Sequence, residues 1–186
     1  MRTLIASLAL LLAAPAAAHA APADSAATAA SAFTIRAAGF QVYRLGPFRP
    51  RRDATIAAAV RVFGEPSSRR SPGAGACTVR WSALRLKIIF ANFGAPGYDP
   101  CDDGIGLASS FTARFGRFRS WRGLRVGAPV SRVRARHPNA SRHGRHYWLK
   151  TGVSPYGDGR RTPVVRAEVA GGRVTALKGY IGAAGD

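Results

Sequence analysis

Two segments of the chain, 74 residues apart, carry the same helix signals. The first, Arg51–Arg70, reads RRDATIAAAVRVFGEPSSRR, and the second, Arg125–Gly144, reads RVGAPVSRVRARHPNASRHG. Each contains an apolar stripe at helical spacing: Ile56, Val60 and Phe63 in the first, and Val130, Val133 and His137 in the second. We therefore expect one short helix, of about ten residues, in each half of the chain.

The ends of both helices are marked by residues with known preferences. Asp53 suits the N-cap of the first helix, because its carboxylate accepts hydrogen bonds from free backbone N–H groups. Gly64 is suited to the left-handed conformation that ends this helix, and Pro66 prevents its resumption. In the second helix, Pro129 suits the first turn. Pro138 ends that helix, since its ring disfavours helical geometry at the preceding residue.

Strand signals follow each helix. The residues of CTVRW (77–81) and LRLKIIF (84–90) alternate as in half-buried antiparallel strands. In the second half, HYWL (146–149) predicts a short strand, and residues 163–181 predict a hairpin that turns at Gly171-Gly172. The sequence thus predicts an α+β fold with two repeats of one short helix packed on antiparallel strands, and one disulfide.

The N-terminus has the parts of a secretory signal peptide. Arg2 supplies a positive charge, an uncharged apolar run follows, and Ala18-His19-Ala20 offers small residues to a signal peptidase. The apolar run is shorter than the roughly 20 residues that cross a bilayer, so no transmembrane segment is expected after signal removal. The organisation that we expect is a signal peptide at 1–20, a flexible spacer at 21–32, a first repeat at 33–106 and a second repeat at 107–186, the two repeats forming one compact unit.

Export would place both cysteines in an oxidising compartment. Cys77 and Cys101 are the only cysteines, and they lack the close spacing of a reactive C-x-x-C pair. We expect one structural disulfide, worth roughly 3–4 kcal/mol in the chain-entropy model. The expected location is outside the cell, or in association with the periplasm or cell wall.

Short motifs around the two helices resemble those of secreted bacterial modules. They are Leu45-Gly46, FGEP at 63–66, GLRVG at 123–127, His137-Pro138 and the turn GGRV at 171–174. The pattern resembles the tandem helix-plus-sheet fold of the β-lactamase inhibitory protein and, more distantly, the outer-membrane assembly lipoproteins of the SmpA/OmlA type. The whole chain resembles uncharacterised exported proteins of high-GC bacteria. The resemblance implies a fold that binds proteins and lacks catalysis, although the lipidation cysteine of the lipoproteins is missing.

Basic residues dominate the composition. The chain has 28 Lys and Arg against 9 Asp and Glu, a formal net charge of +19. In an exported protein, this charge suits attraction of anionic partners through long-range electrostatics, and it equally suits solubility without a specific partner. The partners that we expect are an anionic envelope polymer, a lipid surface or a protein, with nucleic acid bound only non-specifically.

Arginines are concentrated in two stretches of the second half. In FTARFGRFRSWRGLR (111–125) they alternate with aromatic residues, which suits base stacking or an interfacial membrane contact, but buried aromatics with arginines on a solvent face explain the pattern as well. RVRARHPNASRHGRH (132–146) predicts solvent-facing arginines on the second helix, with His137 turned inward. The candidate binding surface consists of Arg114, Arg117, Arg119, Trp121, Arg132, Arg136, Arg142 and Arg145.

Signals for catalysis or metal binding are weak. The two glutamates, Glu65 and Glu168, form no obvious pair, and GVSPYG (152–157) lacks the second glycine of a nucleophile elbow. Three histidines lie among arginines that repel a cation: His137, His143 and His146. Three aspartates near Cys101 are too few for a calcium site: Asp99, Asp102 and Asp103. We expect no catalytic, metal-binding or cofactor-binding residues.

The sequence favours an exported, non-enzymatic binding or interaction protein whose basic surface engages an anionic cell-envelope component or a protein partner. Two alternatives stay open. One is an inhibitor of a secreted enzyme, which the resemblance implies. The other is a hydrolase whose catalytic residues are dispersed in the sequence and meet only in the fold.

Overall fold

The computed structural model describes residues 32–73, 75–92, 97–153 and 159–182. The helices are α1 (Ile56–Phe63) and α2 (Ser131–Arg136). The strands in these ranges are β1 (Phe33–Ala38), β2 (Gln41–Leu45), β3 (Ser68–Gly73), β4 (Ala76–Trp81), β5 (Leu86–Ala91), β6 (Leu107–Ala113), β7 (Phe118–Ser120), β8 (Ser141–His143), β9 (His146–Val153), β10 (Arg161–Ala170) and β11 (Arg173–Tyr180).

Eight of these strands form one antiparallel sheet, in the order β3-β4-β5-β6-β11-β10-β9-β8. Its centre is the pair β6–β11. The predicted first half supplies β3, β4 and β5, which join the strands of the second half where β5 pairs with β6, so both halves contribute to one continuous ladder. The strands β2, β1 and β7 form a small second sheet, in which β1 and β7 run parallel. The predicted hairpin is confirmed: β10 and β11 are joined through Gly171 and Gly172, both at the positive φ that a type I′ turn requires.

Alternating residues place one face of the large sheet in the core. In β4 the buried residues are Cys77, Val79 and Trp81, and in β5 they are Leu86, Ile88 and Phe90, as the sequence pattern predicts. Leu84 lies in the turn before β5 rather than in the strand. The largest buried side chains include Phe48, Phe90, Phe111 and Phe118. Burial of a side chain of this size contributes about 1.5–3 kcal/mol, so this core is the main source of stability.

The start of α1 differs from the prediction. Thr55, not Asp53, is the N-cap, and its Oγ1 accepts a hydrogen bond from Ala58 N–H at 3.2 Å. Asp53 instead accepts hydrogen bonds from the backbone N–H of Thr55 (3.1 Å) and from its hydroxyl (2.6 Å). The hydrogen bond from the Thr55 side chain is the main reason why the pKa of Asp53 lies below its ordinary value. Gly64 ends the helix with φ 78°, as predicted.

The second helix is shorter than predicted and lacks a side-chain cap. Val130 occupies its N-cap position in helical conformation, and no side chain caps the free N–H groups. Pro129, expected in the first turn, lies before the helix and pairs through its backbone with Arg173. A helix of six residues has little intrinsic stability. The attachment of α2 to the core therefore depends on the buried residues Val133 and His137.

Cys77 and Cys101 form the predicted disulfide, with their Cα atoms 5.0 Å apart. The bridge fastens the segment after β5 to the core face of β4. The same segment reaches the first turn of α1, where Ala57 N–H donates to the carbonyl of Asp103 at 3.2 Å. The disulfide and this hydrogen bond thus hold the segment between β5 and β6 against both β4 and α1.

The predicted arrangement of two helix-plus-strand repeats is not clear in the structure. The α+β character is present, but strands dominate and the two helices differ in length and capping. The small sheet of β1, β2 and β7 has no place in the predicted repeat. The helix and strand signals of the sequence show which residues turn inward, but they do not determine which strands pair.

The described residues form one compact unit. The expected signal peptide lies outside the described residues, as do the spacer apart from Ala32 and most of the GVSPYG segment. No described helix is long and apolar enough to cross a membrane.

Candidate functional site

The residues of the predicted binding surface lie in four separate places. One groove is lined by Arg117, Arg119, Arg132 and Arg136. A second concavity, beside the β10–β11 turn, is lined by Arg142 and Arg145. Arg114 lies on the large sheet near Glu168, and Trp121 packs edge-on against His137. The structure therefore brings together half of the predicted surface and separates the rest.

The groove that collects four of these arginines has a volume of about 570 Å³. It lies between β7, the segment after β7, α2 and the start of β11. We call it the arginine groove, after the six arginines that line it: Arg117, Arg119, Arg125, Arg132, Arg136 and Arg173. Its described lining contains no acidic residue.

Backbone pairing brings the walls of the arginine groove together. Arg119 pairs with Thr34 of β1 on one side and with Arg125 on the other. Arg173, at the start of β11, pairs with Pro129 and donates from its guanidinium to the carbonyl of Gly127 at 3.0 Å. Four separate segments of the chain therefore place arginines around one space.

The charge of the arginine groove is not balanced by neighbouring acids. The salt bridges among the described residues involve Arg61, Arg69, Arg114 and Lys178, none of which lines the groove. On α2, Arg132 and Arg136 are exposed while Val133 between them is buried. All six arginines of the groove are exposed or half-buried. Among the described residues, Arg119 donates to the Thr34 hydroxyl at 3.4 Å and Arg173 to the Gly127 carbonyl, and neither of these partners is charged.

The aromatic residues between Phe111 and Arg125 belong to the core. Phe111 and Phe118 are buried, and Phe115 and Trp121 pack against the core from its edge. The intervening arginines are exposed or half-buried. Of the two interpretations of this stretch, the structure supports aromatics packed in or against the core with arginines towards solvent, and the rings of Phe111 and Phe118 are not accessible for stacking with bases.

Ser120 and His137 make a hydrogen bond that resembles part of a catalytic pair. Ser120 Oγ lies 2.7 Å from His137 Nε2 and accepts a second hydrogen bond from Leu124 N–H at 3.1 Å. Ser120 is only 1% exposed and His137 only 3%, so a substrate has no access to the hydroxyl. The bond joins β7 to the end of α2 and so holds two walls of the arginine groove together.

Burial also determines the protonation of His137. Removal from water, and to a smaller extent the charge of Arg122, lowers the pKa of His137 to about 4. The ring is therefore neutral at pH 7, and its Nε2 accepts the proton of the Ser120 hydroxyl when the other ring nitrogen carries the hydrogen. A neutral histidine avoids placing a buried positive charge beside the arginines of the groove.

His143, Asp99 and Asp103 engage in local contacts, whereas the buried Nδ1 of His146 has no hydrogen-bond partner among the described residues. His143 stacks on Trp148, with ring centroids 3.7 Å apart, and contacts the Ser141 hydroxyl. Asp103 pairs with Arg69, and Asp99 accepts a hydrogen bond from Cys101 N–H. In the described ranges, no three His, Cys, Asp or Glu side chains are placed to hold a metal ion.

Sequence reasoning missed two members of the arginine groove. Arg125 ends the basic-aromatic stretch, and Arg173 follows the β10–β11 turn, 41 residues after Arg132. Backbone pairing of residues 127–130 with residues 172–174 brings that strand beside α2, and such a register is not encoded in local spacing. Comparisons of the chain with protein-family models, curated proteins and solved structures give no match, so the interpretation rests on the residues of the site itself.

Proposed function

We propose that this chain is an exported, non-enzymatic binding protein whose arginine groove holds an anionic polymer of the cell envelope. One observation carries the proposal: six arginines from four chain segments line a single groove whose described lining has no acid. Like charges brought together at this density repel one another, and an anionic partner relieves that repulsion.

The type of side chain favours phosphate or sulfate groups as the bound anion. A guanidinium presents several N–H donors in a plane and binds tetrahedral oxyanions through paired hydrogen bonds. Arg132 and Arg136 are four residues apart, which places them about 6 Å from each other along the helix axis. A flexible polymer with a charge on each repeat adapts to such a line of arginines better than one rigid small molecule.

Two further features fit a location outside the cytoplasm. The Cys77–Cys101 disulfide is of the kind that persists in oxidising compartments. The N-terminus has the composition of a signal peptide. Both support the proposal that the partner is a component of the envelope.

The test is the binding of fluorescent poly(glycerol phosphate), a phosphodiester polymer, measured by anisotropy over a series of salt concentrations. We expect the logarithm of the association constant to fall linearly with the logarithm of the salt concentration, because binding releases counterions. The double variant Arg132→Gln/Arg136→Gln should bind about tenfold more weakly, with a slope reduced by about 0.7 for each lost phosphate contact.

A matched control is Arg51→Gln/Arg52→Gln, which removes the same charge from two exposed residues of the turn before α1. This control should retain nearly the affinity of the unaltered chain. Equal losses in both double variants would show that net charge, rather than the groove, determines binding. A salt-independent, one-to-one complex with a secreted enzyme, without affinity for the polymer, would replace the proposal with the inhibitor alternative.

A further inference from the structure

A row of side chains crosses all eight strands of the large sheet. Residues directly opposite each other in neighbouring strands give, from β3 to β8, the row Ser68, Arg80, Lys87, Thr112, Lys178, Arg166, Trp148 and Ser141. Half of its members are cations and none is acidic. The neighbours of these residues along the strands include Trp81, Leu86, Leu177 and Ala167, which are buried. The row therefore lies on the face turned away from the core.

Part of this row lines a concavity of about 330 Å³, which we call the sheet pocket. Its charged and polar lining residues are Arg80, Ser82, Arg85, Lys87, Thr112, Arg114 and Lys178. One carboxylate lies close by: Glu168 forms salt bridges with Lys178 and Arg114. Five cations and one carboxylate leave four positive charges unbalanced.

The fold holds these cations together against their mutual repulsion. Arg80 and Lys87 are direct cross-strand partners, and neighbouring strands are only about 4.8 Å apart. Like charges in this position destabilise a sheet. Burial, and then the charges of Arg80 and Lys178, lower the pKa of Lys87. Arg85 adds backbone strain, with φ 44° in the left-handed region that non-glycine residues avoid.

Thr112 supplies a neutral donor between the two lysines. It is the direct partner of Lys87 on one side and of Lys178 on the other, and it is only 8% exposed. The structure gives its hydroxyl no hydrogen bond to another described residue. Ammonium groups on both sides of a hydroxyl, with guanidinium groups beyond them, form a donor set suited to a tetrahedral oxyanion.

We infer that the sheet pocket is a second anion site, which binds a dianionic phosphate group independently of the arginine groove. The unbalanced cations favour a doubly charged group over a singly charged one, because each negative charge is attracted by several cations. Partial burial strengthens this attraction, since the dielectric constant is lower there than in water. Strand register fixes the backbone positions of these residues. The pocket is thus a rigid site for one compact group, whereas the arginine groove suits a flexible chain.

The chain contains only three lysines, Lys87, Lys150 and Lys178, which makes side-chain NMR of the lysine-labelled full chain a direct test. Methyl phosphate is titrated at pH 7.5 and constant ionic strength. The signals of Lys87 and Lys178 should shift and saturate together, while Lys150, which lies outside the pocket, stays in place. Methyl sulfate has a similar shape with a single charge, and it should bind at least about tenfold more weakly.

Variants separate this site from the arginine groove. Lys87→Gln should weaken methyl phosphate binding about tenfold, since it removes a charge-assisted hydrogen bond. Lys150→Gln and Arg132→Gln/Arg136→Gln should leave it unchanged. Three results would overturn the inference: a parallel shift of Lys150, an equal response to methyl sulfate, or shifts of Lys87 and Lys178 that never saturate. Loss of polymer binding in the groove variants, with the methyl phosphate response intact, would keep the two sites distinct.

Discussion

The two helices occupy similar places in their halves of the sequence but are held in different ways. α1 has a side-chain cap at Thr55, a supporting carboxylate at Asp53 and a salt bridge from that carboxylate to Arg61. α2 has no side-chain cap, and it ends on His137, whose ring is hydrogen-bonded to Ser120. One helix is stabilised by its own sequence, the other by a few buried contacts.

The two helices also differ in composition and in the burial of their side chains. α1 is apolar except for Arg61, and most of its residues are buried or half-buried. Of the six residues in α2, three are arginines and only Val133 is buried. The sequence of α2 therefore places charge on the surface, which fits its position in the wall of the groove that we propose to bind an anionic polymer.

The largest expected effect concerns the attachment of α2 through His137. The folded-state pKa of about 4 lies below the ordinary value of 6.5. The unfolded chain therefore binds a proton between these values and the folded chain does not, so the stability from this group is present above pH 6.5 and is lost as the pH falls towards 4. The free energy of unfolding should decrease by about 3 kcal/mol over this window, measured by urea denaturation.

Two variants identify the source of this pH dependence. His137→Gln retains an acceptor for the Ser120 hydroxyl but does not titrate, so the decrease between pH 6.5 and 4 should largely disappear. His143→Gln alters an exposed histidine and should leave the decrease as it is. An undiminished pH dependence in His137→Gln would contradict the buried, neutral state of this side chain.

A smaller effect is expected from the caps, where the two helices can be compared directly. Thr55→Ala removes the hydroxyl that accepts from Ala58 N–H and should lower the free energy of unfolding by about 1 kcal/mol. Ser131→Ala, at the exposed start of α2, should change it by less than about 0.5 kcal/mol. Urea denaturation of both variants at pH 7 measures the difference, and equal losses would remove the distinction between the helices.

The sequence predicted the local features whose causes lie within a few residues. The alternation in β4 and β5 follows from the period of a strand, the turn at Gly171-Gly172 from the conformational freedom of glycine, and the end of α1 at Gly64 from the same cause. The disulfide followed from having two cysteines in a chain with an expected signal peptide. The inward orientation of His137 followed from its place on the apolar stripe.

Features that depend on strand pairing were not predictable in the same way. The small sheet, in which β1 pairs in parallel with β7, joins residues about 85 positions apart. The register of strand pairing places Arg173 in the lining of the arginine groove. It also places Lys178 two strands from Lys87. The candidate surface therefore contained the groove arginines of α2 and of residues 117–119. It missed Arg125, Arg173 and the whole row on the large sheet, apart from Arg114 beside it.

Hydrogen exchange with and without bound poly(glycerol phosphate) tests most directly whether α2 and its surroundings form the binding site. We predict slower exchange of backbone amides in α2 and at residues 117–119 and 125–129, with no change in α1, whose only arginine pairs with Asp53. Slower exchange in α1, or a uniform change over the described residues, would contradict the assignment of the arginine groove as the site where the polymer binds.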